Sequence, residues 1–133
     1  MLENINLIAV LVAAVSTFVV GGIWYGPLFS KQWQVAVGLT DEQLAGANMG
    51  KTFFGAFIAQ IMVAITLSVL LRGVEGVLNG AILGAMIALG IAVAHLLTNY
   101  LFEQRTRSLL LINAGYMVLS TALSGAIIAG WPF

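Results

Sequence analysis

Charged positions in this chain are few and gathered into short clusters, which leaves four long uncharged runs: Asn4–Ser30, Thr52–Leu71, Gly76–Phe102 and Ser108–Phe133. Each run holds the ~20 mostly apolar residues that a helix needs to cross a ~30 Å hydrocarbon core. The pattern predicts an all-α, integral membrane bundle of four transmembrane helices in one domain, over about 5–25, 52–71, 77–102 and 108–128. The links RGVEG and EQRTR are short, so helices two, three and four are expected to stack as consecutive antiparallel hairpins.

Only the first connection, residues 26–51, is long, and two parts of it have helical spacing. Pro27 suits a first turn, and Phe29, Trp33 and Val37 then share one face while Lys31, Gln32 and Gln34 take the other. A helix over Leu28–Val37 lying in the membrane interface is predicted. Further on, TDEQ (Thr40–Gln43) has the spacing of a capping box and predicts a second short helix over Asp41–Ala47. Gly26-Pro27 is expected to break helix one, with Trp24, Tyr25, Phe29 and Trp33 anchoring the chain at the depth where amphipathic aromatics belong.

Composition narrows the class. Of 133 residues, 61% are hydrophobic and 8% charged, against the about 25% charged residues of a soluble domain. The start MLEN is acidic, and the first run passes directly into Trp24 and Tyr25. It therefore reads as an anchor in place of a cleaved secretory signal. With no cysteine, disulfide and thiolate chemistry are absent. The formal net charge is zero and no basic patch is present, which argues against a nucleic-acid partner; membrane lipid is the partner expected. Lys31, Lys51, Arg105 and Arg107 lie in the first and third connections, and Arg72 alone in the second. Basic loops are retained in the cytoplasm, so both termini are expected outside.

The stretch GGIWYGPLFSKQW followed by GLTDEQ, and the ending RSLLLINAGYMVLSTALSGAIIAGW, carry a resemblance that covers nearly the whole chain. They resemble an uncharacterised integral membrane family, domain of unknown function 1761. The resemblance implies a small, mainly bacterial integral membrane protein with no established activity, and it brings no assigned catalytic residues; the multi-pass chain is expected in the bacterial inner membrane.

Candidate chemistry is sparse. His95 is the only histidine and lies about 9 Å past the middle of its run, inside the hydrocarbon and nearer the cytoplasmic surface. Ionisable groups at such depth are functional candidates, and a neutral imidazole bonded to a neighbouring helix is the structural alternative. Asn99 and Glu103 follow at i+4 and i+8, so all three share a face expected to look into the bundle. Asn113 and Tyr116 lie near the same end of helix four. Helix two carries Thr52, Ala56, Gln60, Ala64 and Ser68 at four-residue spacing, and helix three Gly80, Gly84, Ala88 and Ala92. Small and polar stripes of this kind allow close helix packing, or alternatively line a substrate path.

One histidine without a thiol falls short of a metal set. No phosphate loop, dinucleotide motif or hydrolytic triad is present, no cofactor is called for, and an enzyme is the weakest reading. Two readings remain. One is transport or small-molecule binding, the molecule being unspecified, within a bundle or homo-oligomer. The other is a structural or accessory subunit packed against a larger membrane complex. Small multidrug exporters share the size and helix number, but they carry a membrane-embedded glutamate in helix one that is missing here.

Overall fold

The computed structural model describes residues 2–132, and among them every regular element is helical. Four helices are long and apolar enough to cross a membrane: Leu7–Leu28, Met49–Leu70, Val77–Glu103 and Arg107–Ala129. The first comprises α1 (Leu7–Ile23) and a π-helical turn, Trp24–Leu28. Then come α2 (Ser30–Val37), α3 (Asp41–Ala45) and α4 (Met49–Leu70). The third span is α5 (Val77–Ile87), a π-helical segment (Ala88–Val93) and α6 (Ala94–Glu103), and the last is α7 (Arg107–Ala129).

Side-chain caps fix most helix starts. Asn6, Asn48 and Thr106 each accept the amide three residues on, from Ala9, Lys51 and Leu109. Each such bond satisfies one of the donors orphaned at a helix start. At α3 the capping box is complete: Gln43 N–H donates to Thr40 Oγ1, and Thr40 N–H donates to Gln43 Oε1.

Gly26-Pro27 does not break helix one. Proline has no N–H to give an α-helical turn, and here the widened π turn carries Pro27 inside it and runs on to Leu28. The helical path ends at Phe29 (φ −127°, ψ 13°), whose carbonyl accepts the Trp33 amide and opens α2.

α7 is the centre of the bundle. It packs on α1, α4 and α5, while α1 also packs on α4. The expected stacking of helices two and three fails, because α4 and α5 lie apart with α7 against both. The link between them crosses the end of α7, where the Gly76 amide donates to the Ala129 carbonyl at 3.0 Å. Gly73 (φ 80°) and Gly76 (φ 101°) supply the left-handed conformations that this crossing needs.

The closest approach is between α5 and α7. A Cβ at Gly80 would overlap the Gly125 carbonyl, one at Gly84 the Thr121 carbonyl, and one at Gly125 the Gly80 carbonyl. Gly80, Gly84 and Ala88 are all buried on this seam. Ala92, expected to continue the ridge, is exposed. The four-residue spacing holds only while the helix stays against α7. Contact thins through the π segment, and α6 touches α7 only sparsely; such insertions are known places for a helix to bend.

Candidate functional site

The polar groups of the bundle meet at the end where α1 closes and α7 begins. Tyr25 Oη donates to Asn113 Oδ1 at 2.7 Å, and Asn113 Nδ2 donates to Tyr100 Oη at 2.7 Å. One asparagine thus ties helices one, three and four together through both halves of its amide. A turn deeper, Tyr116 Oη donates to the Thr17 carbonyl at 2.8 Å. The Thr17 hydroxyl is in turn shared between the Ala13 and Ala14 carbonyls.

Aromatic packing frames this network. The Tyr25 ring meets Tyr116 and Trp33 edge-on, with centroids 5.5 and 6.1 Å away, and Trp24 packs against Phe29 at 4.8 Å. The Trp24 indole N–H donates to the Ile112 carbonyl at 2.9 Å. Trp24 and Tyr25 therefore face α7, so the two aromatics ending helix one serve as interhelical contacts. Tyr25, Tyr100 and Thr17 are the participants that residue spacing missed. At this depth an aromatic suits lipid and protein alike, and Thr17 sits unremarked inside an apolar run.

The six residues of the candidate intramembrane site do not come together. Asn113 and Tyr116 face inward, joined to Tyr25 and Thr17. His95, Asn99 and Glu103 lie on the exposed side of α6, which corrects the expectation that they look into the bundle. Glu103 pairs with Arg105 at 3.5 Å. The side chains of His95 and Asn99 make no hydrogen bond to another described residue. Their displacement has the same origin as that of Ala92: beyond the π segment, α6 is no longer covered by α7. Gln60 is half-buried on α4, away from this cluster, and of its stripe only Ala64 is fully buried.

Val10, Ala13 and Ala64 form an apolar cluster in the bundle, flanked by Ile5, just before α1, and by isoleucines of α4 and α7. Among the described residues no buried side-chain nitrogen or oxygen lacks a hydrogen-bond partner. Two open grooves lie beside the start of α7. One, of about 580 Å³, lies against α2 and is edged by Lys31. The other, of about 220 Å³, lies between α6 and α7 and has Tyr100, Arg105 and Arg107 in its wall. No group of three metal-ligating side chains is found among the described residues.

Neither the search of curated proteins nor that of solved structures found a match. A family model does match, over residues 8–129. That span contains all four membrane helices save the first residue of α1, together with the Tyr25–Asn113–Tyr100 network. The chain belongs to the family described as protein of unknown function DUF1761.

Proposed function

We propose that this chain is a membrane assembly module whose α6 face docks onto a second copy of itself. The observation that carries the reading is the exposure of His95 and Asn99 on a membrane-spanning helix, with no partner among the described residues. Polar side chains inside the hydrocarbon are costly when they face lipid and bond across helices when they do not. Histidine and asparagine each carry a donor and an acceptor, so the face is self-complementary across a twofold axis, where residue i meets j and j meets i. Exposed Gly90, Ala94 and Thr98 on the same helix allow a second backbone to come near.

The transport or small-molecule reading finds its support in the two open grooves beside the start of α7 and in any space formed between copies. The surroundings proposed are the bacterial inner membrane, with the α2–α3 connection in the cytoplasm and both termini outside. Energy transfer between fluorescently tagged copies in lipid bilayers tests the docking. Wild-type chains should associate, and the His95→Leu/Asn99→Leu variant should not. Equal transfer for both, or none for either, contradicts the proposal.

A further inference from the structure

The groove between α6 and α7 has two chemistries. Leu97, Leu101 and Leu110 line it with apolar surface, and Arg105 and Arg107 with basic groups. Tyr100 lines it as well. Its hydroxyl accepts from Asn113 Nδ2 and so still has its own proton to give. Gln104, in the left-handed region at φ 57°, turns the chain sharply enough to set both arginines at the start of α7. Among the described residues Glu103 pairs with Arg105 at 3.5 Å and Arg107 has no ion-pair partner. Across the helix start, Lys31 edges the neighbouring groove, so three of the five basic residues surround the beginning of α7.

We propose that this groove binds an anionic phospholipid. The phosphate sits at Arg105 and Arg107, a headgroup oxygen accepts from Tyr100, and an acyl chain descends over Leu97, Leu101 and Leu110. Charge complementarity selects the headgroup, since each basic side chain near a bilayer surface favours an anionic lipid by about fivefold in affinity. The apolar lining distinguishes a lipid from a free anion, because inorganic phosphate gains nothing from three leucines.

Native mass spectrometry of the full chain in a nonionic detergent tests this with three probes. These are 1-palmitoyl-2-oleoyl-phosphatidylglycerol, the matching phosphatidylcholine, and inorganic phosphate. The phosphatidylglycerol adduct should dominate over the phosphatidylcholine adduct, and phosphate should neither bind nor displace it. Arg105→Gln/Arg107→Gln should weaken that preference about twentyfold or more, whereas Arg72→Gln at the opposite end leaves it intact. Arg107→Gln alone, with the Glu103–Arg105 pair in place, should weaken it about fivefold and serves if the double variant does not fold. Equal binding of the two lipids, indifference to the arginine variants, or displacement by phosphate overturns the proposal.

Discussion

Trp24 and Gly115 occupy one space: a Cβ at position 115 would lie 2.8 Å from Trp24 Cζ2, inside van der Waals contact. The bare face of α7 at Gly115 lets the indole lie flat enough for its N–H to reach the Ile112 carbonyl at 2.9 Å. Gly115→Val should therefore expel the ring and break that bond together, costing about 1–3 kcal/mol as overpacking does. Trp24→Phe loses that bond, about 0.5–1.5 kcal/mol, together with part of the ring's packing against α7 and Phe29. Thermal unfolding in detergent should place wild type above both variants. Equal melting of Gly115→Val and wild type would contradict the packing.

The α5–α7 seam makes a stricter demand. At Gly84 the obstruction is the Thr121 backbone, which no rotamer change relieves. Gly84→Leu should separate the helices and cost about 3 kcal/mol or more, at the upper end of overpacking. Gly90→Leu, where a Cβ meets nothing within 4 Å, should leave the melting of the single chain unchanged. Two variants with the same unfolding temperature would place the seam elsewhere.

Asn113 and Asn99 separate fold from surface. Asn113→Leu removes an acceptor from Tyr25 and a donor from Tyr100, each about 0.6 kcal/mol in a membrane protein. Asn99→Leu removes no bond within the chain and should leave monomer stability unchanged. Hydrogen exchange around residues 24–28 should rise in the first variant only. A rise in both, or in neither, would refute this division.

These contrasts mark what the sequence makes legible. The four spans follow from charge spacing alone, because a bilayer admits few alternatives to a long apolar helix. The Gly80–Gly84–Ala88 ridge is likewise readable, since close backbone approach needs small residues at helical spacing. Ala92, His95 and Asn99 were misplaced by the same regularity. Nothing in ALGIAV announces a π turn, and spacing arguments assume an unbroken helix that stays against its neighbour. The separation of α4 from α5 was equally hidden. A short link fixes how far apart two helices can start, and α7 takes the position between them through glycine contacts that the link does not encode.

The proposed orientation rests on Lys31, Lys51, Arg105 and Arg107 lying in the first and third connections and Arg72 in the second. The chain has no cysteine, so single cysteines introduced at Ser30 and at Pro132 report cleanly. An impermeant maleimide applied to intact cells should label the Pro132 position and spare the Ser30 position. The opposite pattern reverses the topology.

The central claim, that the exposed face of α6 meets a second copy, is tested most directly by disulfide cross-linking in native membranes. Ala92 lies on this face, three residues before His95, and Ala92→Cys leaves both polar side chains in place. Oxidation should give a covalent dimer of this chain in the Ala92→Cys variant, and much less when His95→Leu and Asn99→Leu are added. Ile58→Cys, exposed on α4, should give none. A product of Ala92→Cys that contains a different protein would assign the chain to a larger complex as an accessory subunit, and cross-linking that is absent or equal at both positions would contradict the account.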